Sequence, residues 1–243
     1  MPRRYWVVLW VVLVVVGLDQ GSKDWATTHL HSPQAACLME RQVCWGLCQQ
    51  KEQKSACERS CVEAGDKCFD RARLSLGVWK KQVEALKKSL WCRDVLIVAD
   101  IASPACVVIP GLLNFRYALN PGSAWGVFGG LPVLVRRGLF VLITLLAFVF
   151  LTTMLRRARD EETLLILGIA GIASGAVGNF TDRLRVNHVI DFIDIYWTTA
   201  QGTSHWPTFN IADIAISFGV FFFALHTLFG GSVQPAQEPP KAP

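Results

Sequence analysis

The chain has 243 residues, 52% of them hydrophobic and 18% charged, with a mean hydropathy of +0.34 and a net charge of +5. That balance excludes an ordinary water-soluble domain and points to several membrane crossings. The positive excess sits in arginines beside apolar runs and in a mixed-charge stretch, so it gives no reason to invoke nucleic acid.

Four apolar runs have the roughly 20 residues that a helix needs to cross the hydrocarbon. They are about Tyr5–Thr28, Val133–Leu155, Thr163–Asp182 and Thr208–Leu228. The first is too long, and its exit too polar, for a cleaved secretory signal. No small-x-small site follows Leu18, so it reads as an anchor. Arg3 and Arg4 precede the first run, and Arg156, Arg157 and Arg159 follow the second. The positive-inside rule places both groups, and hence both termini, in the cytoplasm. Arg136 and Arg137, on the outward side, weaken that count slightly. The long segment between the first two runs, and the short one between the last two, then face outward.

All eight cysteines lie in the long outward segment: Cys37, Cys44, Cys48, Cys57, Cys61, Cys68, Cys92 and Cys106. An even count confined to exported chain reads as disulfides in an oxidising space such as a bacterial periplasm. Disulfides explain all the thiols and the compartment together; zinc, which the Cys-x3-Cys gaps would permit, does not. The first six are spaced as mirror images, and on two antiparallel helices this brings them together as nested rungs. The implied pairs are Cys48–Cys57, Cys44–Cys61 and Cys37–Cys68, with Cys92–Cys106 remaining. Such a helical hairpin has too little core to hold itself without bridges.

A third helix is predicted over Leu74–Leu90. Its apolar stripe is Leu76, Trp79, Val83, Leu86 and Leu90, with Lys80, Lys81, Lys87 and Lys88 off it. The stripe either packs on the hairpin or rests on the lipid surface. From Gly111 to Gly126 the chain alternates like a strand and then carries Asn120-Pro-Gly turn chemistry, which predicts a small β element beside the membrane. Asn120 either offers an amide to a substrate backbone or simply starts the turn. The Pro-rich tail Gly231–Pro243 reads as disordered.

The polar residues on the spans carry the chemistry. Asp19 and Lys23 are four apart and can pair on one helix face, either as an interfacial ion pair or as part of a site. Gly168, Gly171, Gly175 and Gly178 line one face of the third span and let another helix approach closely. That helix exits through Asn179 and Arg183, where an arginine can orient a carboxylate or anchor at the interface. Asn210, Asp213 and Ser217 form a polar stripe on the fourth span, expected to face the bundle interior. Helix capping fits Asn210 alone, not Asp213, which is followed by Ile-Ala-Ile. A carboxylate at membrane depth is costly and marks function by default. Asp191, in Val189–Tyr196, and Asp213 converge at one membrane edge as a pair sharing a proton, equipment for activating water against an amide.

Five segments in order resemble the lipoprotein signal peptidase family, the type II signal peptidase of bacteria. They are Asp19-Gln-x-x-Lys23, Asn120-Pro-Gly-x-Ala, Gly175-Ala-x-Gly-Asn179-x-x-Asp-Arg183, Val189-x-Asp191-Phe-x-Asp and Phe209-Asn210-x-Ala212-Asp213. The resemblance covers roughly 2–30 and 107–230. It implies an α-helical membrane protein of four transmembrane helices with a periplasmic β-cradle, to which this chain adds its disulfide-bridged helical hairpin. It implies an aspartic endopeptidase of the inner membrane, needing no metal or other cofactor. The substrate would be a diacylglyceryl-modified prolipoprotein, cut on the amino side of the lipidated cysteine. By motif the catalytic pair is Asp191 and Asp213, supported by Asp19, Lys23, Asn120, Asn179, Arg183 and Asn210. Trp125 and Ser174 depart from the family's usual Phe and Gly, and the Cys37–Cys106 insert has no counterpart in ordinary members. The expected organisation is therefore 1–30 first span, 31–106 cysteine-rich insert, 107–132 β element, 133–230 remaining spans and 231–243 tail, with room for an unknown partner on the insert. Two rivals are a proton-coupled transporter, against which the lack of an internal repeat argues, and a membrane-anchored binding module, in which loss of either aspartate would be harmless.

Overall fold

The computed structural model describes residues 1–31, 59, 61–63, 76–89, 92–98, 103–120 and 133–229. Among the described residues four helices are long and apolar enough to cross a membrane. These are α1 (Arg3–Leu30), α3 (Val133–Arg157), α4 (Thr163–Val186) and α5 (Ile211–Phe229). Between α1 and α3 lies a shorter helix, α2 (Leu76–Lys87). A five-stranded antiparallel sheet has the order β1 (Asp94–Val98), β2 (Ser103–Ile109), β3 (Leu113–Asn120), β4 (Val189–Thr199) and β5 (Gly202–His205). The sheet is open, and β3 and β4 are joined across two membrane helices, so its register locks both halves of the chain together. Asn120 pairs with Val189, and Ala118 with Asp191.

Helix α4 is the centre of the bundle. Its glycines meet α5 backbone to backbone: a Cβ on Gly171 would lie 2.8 Å from the Ala215 carbonyl, and one on Gly175 would collide with the Ala212 carbonyl. The predicted small-residue stripe is thus the α4–α5 interface. Many large apolar side chains on α1, α3 and α5 remain exposed, among them Leu13, Leu146, Phe150 and Phe221, as lipid-facing residues must. The Arg3 and Arg4 backbone N–H groups donate to Asp160, so the α1 start and the α3–α4 turn share one end of the bundle. That end carries the arginines and is cytoplasmic; the sheet is at the other end, on the periplasmic side.

Helix α4 runs past its predicted end at Asp182 and stops at Asn187, whose left-handed φ of 62° turns the chain into β4. Only part of the sheet was expected. β1 and the start of β2 come from the cysteine-rich segment, and β4 and β5 from the link between α4 and α5. The sheet packs on the periplasmic end of α1 through a core of Ala26, Leu30, Leu86, Cys92, Cys106, Tyr117, Ile190 and Phe192. Leu86 is the α2 residue in that core, so this part of the predicted stripe faces protein rather than lipid. Cys92 and Cys106 form the expected disulfide, with Cα atoms 5.2 Å apart. Cys61 is also disulfide-bonded. The three nested pairs, the Asn120-Pro-Gly turn beyond Asn120, Trp125 and the tail lie outside the described residues.

Candidate active site

The site is assembled where α1, α4, α5 and β4 meet. Lys23 is fully buried, and its three donors are all used. Its Nζ lies 2.8 Å from Asp19 Oδ2, 2.7 Å from Asp182 Oδ2 and 3.2 Å from Asn179 Oδ1. The pairing of Asp19 with Lys23 is therefore no interfacial ion pair. It is the base of a buried polar chamber. Asp19 Oδ1 also accepts the Ala212 N–H at 2.9 Å, tying α1 to the first turn of α5. Asp182 Oδ2 accepts the Ile190 N–H at 3.2 Å, tying α4 to β4 one residue before Asp191.

Asn210 sits above this base and joins the two candidate catalytic carboxylates. Its side-chain amide donates to Asp191 Oδ1 at 2.7 Å and to Asn179 Oδ1 at 3.1 Å. Its Oδ1 accepts the Asp213 N–H at 3.0 Å, and its own N–H donates to Asp213 Oδ2 at 3.2 Å. This reciprocal pair at N-cap and N3 is a capping box. The expectation that capping fits Asn210 alone is thus corrected: Asp213 completes the box and still faces the site. Asn179 Nδ2 donates to Asp213 Oδ1 at 2.8 Å. Asn120, at the end of β3, donates to Asp191 Oδ2 at 3.1 Å, so its amide reaches the candidate dyad.

Arg183 donates to the Asn179 carbonyl at 3.2 Å, and its guanidinium lies 4.2 Å from the Phe140 ring centre on α3. With Asn120, Asn179 and Asp213 it lines a cleft of about 620 Å³. Ser217 also lines that cleft and is exposed there, donating to the Asp213 carbonyl; the expected polar stripe turns out of the bundle at this residue. All eight anticipated site residues therefore come together. Asp182 and Gln20 complete the chamber without having been assigned to the site, and Gly178, expected only to let another helix approach, lies against it. Gln20 Nε2 is 3.0 Å from Asp182 Oδ1, and a Cβ on Gly178 would come within 2.5 Å of Asp19 Oδ2. Asp182 could have been found from its place one helical turn beyond Asn179. Gln20 had only its place in the Asp19-Gln-x-x-Lys23 segment.

Burial, and after it the neighbouring Asp213 charge, pushes the Asp191 carboxyl up to about 7. The bonds from Asn120 and Asn210 oppose this by favouring the ionised form. The described residues contain no group of His, Cys, Asp and Glu suited to hold a metal ion. The arrangement offers two linked carboxylates, amide donors around them and an open cleft, which is what acid–base attack of water on an amide requires.

The family described as signal peptidase (SPase) II matches residues 88–229. A lipoprotein signal peptidase of Anaeromyxobacter sp. (strain Fw109-5) is 45% identical over 123 residues, covering 51% of this chain and 58% of the relative. That of Desulforapulum autotrophicum is 38% identical over 156 residues, covering 60% of this chain and 94% of the relative. A solved bacterial membrane enzyme, 26% identical, covers 66% of this chain and 86% of its own with a TM-score of 0.45. The chain belongs to the signal peptidase II family and is a multi-pass membrane enzyme of the aspartic peptidase type.

Proposed function

We propose that Asp191 and Asp213 are the catalytic pair with which this chain removes the signal peptide of a diacylglyceryl-modified prolipoprotein, cutting on the amino side of the lipidated cysteine. The observation that carries this reading is Asn210, which donates to both carboxylates and so holds them as one unit. Two linked carboxylates share a proton rather than ionise together. Asp191, pushed up to about 7, holds that proton near neutral pH. Ionised Asp213 takes a proton from water, and the hydroxide adds to the scissile carbonyl carbon. Asp191 hydrogen-bonds the carbonyl oxygen as its charge develops. On collapse the C–N bond breaks, and the proton on Asp213 passes to the departing amine of the lipidated cysteine. The cleft opens beside exposed apolar residues of α5, so acyl chains stay in the bilayer while the peptide reaches the carboxylates.

The same reading keeps 1–30, the β element 107–132 and 133–230 as the peptidase body and 31–106 as an addition bearing on substrate access or on a further partner. The deciding experiment is cleavage of a diacylglyceryl-modified prolipoprotein by the purified chain and by its Asp191→Asn and Asp213→Asn variants. The wild type is expected to release the signal peptide and both variants to remain folded and inactive. Substantial turnover by either folded variant would overturn the assignment.

A further inference from the structure

Another buried carboxylate stands three residues beyond Asp191 and takes no part in the chamber. Asp194 is fully buried in β4. Its oxygens lie 2.9 and 3.0 Å from His205 Nδ1. A carboxylate only accepts, so Nδ1 carries the hydrogen. Arg116 Nε on β3 lies 3.2 Å away, and Asn114 Nδ2 donates at 3.4 Å. The His205 ring stacks on Tyr196, whose hydroxyl accepts the Gly111 N–H in the turn between β2 and β3. Three strands are thus fastened at one carboxylate, and the turn is tied to them through Tyr196.

His205 begins the strap that runs to Asn210. Trp206 donates its N–H to the Ile195 carbonyl at 2.8 Å, and Phe209 exchanges backbone hydrogen bonds with Ile193. The side chains from Trp206 to Phe209 form one wall of the cleft. The Asn210 side chain is held separately, by donation to the Ile190 carbonyl and to Asn179. The wall and the catalytic pair therefore have different anchors.

We propose that Asp194 and His205 are positioning residues that fix the Trp206–Phe209 strap as a substrate-binding wall, setting how well the precursor binds rather than how fast the bond breaks. This rests on the functional reading above. His205 is 38% exposed, so its replacement is tolerated by the fold. His205→Ala frees the strap at its root. His205→Asn restores an N–H near the position of Nδ1, whereas His205→Gln places its amide one methylene further out.

The test uses the full chain in detergent or bilayer, with cleavage kinetics on a diacylglyceryl-modified prolipoprotein and hydrogen exchange at the Trp206 and Phe209 amides. His205→Ala is expected to raise KM by at least about threefold with kcat within about twofold, and to speed exchange at both amides. His205→Asn is expected to recover both properties. Should His205→Ala not fold, His205→Gln takes its place with the same expectation. Unchanged KM and exchange, a fall in kcat at constant KM, or no recovery in His205→Asn would each overturn the proposal. A wild type that cleaves no such precursor would overturn the functional reading instead, and the exchange data would still decide whether His205 holds the strap.

Discussion

Two ends of the same helix bundle carry ion pairs. At the periplasmic end Lys23 and Asp19 are wholly buried, and Asp182 nearly so. At the cytoplasmic end Arg4 meets Asp160 with 19% and 33% of the two side chains exposed. The residue chemistry is alike, and the consequences are not. An exposed pair is screened by water and contributes little to stability. A buried one leaves an uncompensated charge when either partner is removed. The chain thus fastens its cytoplasmic end loosely and builds its periplasmic end as one unit that survives only whole. That unit holds the candidate catalytic carboxylates.

The comparison is tested most severely at the carboxylates themselves. Asp191→Asn and Asp213→Asn are each expected to lower kcat by at least about a hundredfold without unfolding, since an amide neither takes water's proton nor shares one. Cleavage assays on folded protein check this, and ordinary turnover would detach the chamber from catalysis.

Next in size is Lys23→Met, which strands two buried carboxylates. It is expected to cost about 3–5 kcal/mol in reversible unfolding, against about 0–1 kcal/mol for Arg4→Met. Similar losses for the two variants would abolish the distinction between the ends.

Glycine substitutions sharpen the same contrast. Gly175→Ala drives a Cβ into the Ala212 carbonyl, displacing the α5 turn that carries Asp213. A loss of both stability and cleavage is expected. Gly138→Ala meets nothing within 4 Å and is expected to be neutral or to stabilise by up to about 1 kcal/mol. Thermal unfolding of the pair decides it.

The smallest effect is a shift in pH dependence. Asp191 is raised from 3.8 to about 7, so the folded state binds its proton more tightly than the unfolded chain. Its contribution to stability is therefore most favourable at low pH, falls as pH rises from near 4 to near 7, and is constant above. Activity is expected to fall as pH rises through about 7, where Asp191 loses the shared proton. Asn120→Ala removes a bond that favours the ionised form, so that alkaline limb is expected to move upward. A downward shift in the rate profile would contradict this role for Asn120.

The eight anticipated site residues were legible because charged and amide side chains stand out beside apolar spans and because all eight fall in the segments that carry the family resemblance. Asp182 and Gln20 were less so: each lies beside a residue already singled out, and only the contact between α1 and α4 brings Asp182 to Lys23 and Gln20 to Asp182. The strands β4 and β5 escaped notice for different reasons, β5 because all four of its residues are exposed. The first four residues of β4 are all buried, so the alternation that marks a half-exposed strand is missing. Asp194 closes the segment Val189-x-Asp191-Phe-x-Asp, but its pairing with His205 was hidden with the strands, since it depends on them being there.

The sequence alone determined the number of spans, their orientation, the glycine face of α4 and the Cys92–Cys106 bridge. These follow from local rules: length, charge beside the membrane, residue size, and an even thiol count whose mirror-spaced six leave Cys92 and Cys106 as the remaining pair. Tertiary structure decided that Lys23 lies between two aspartates, that Asn210 joins Asp191 to Asp213, that Leu86 turns into protein, and that His205 meets the buried Asp194. Each of these depends on residues distant in the chain being brought together by helix packing and strand register, and no local pattern encodes that distance.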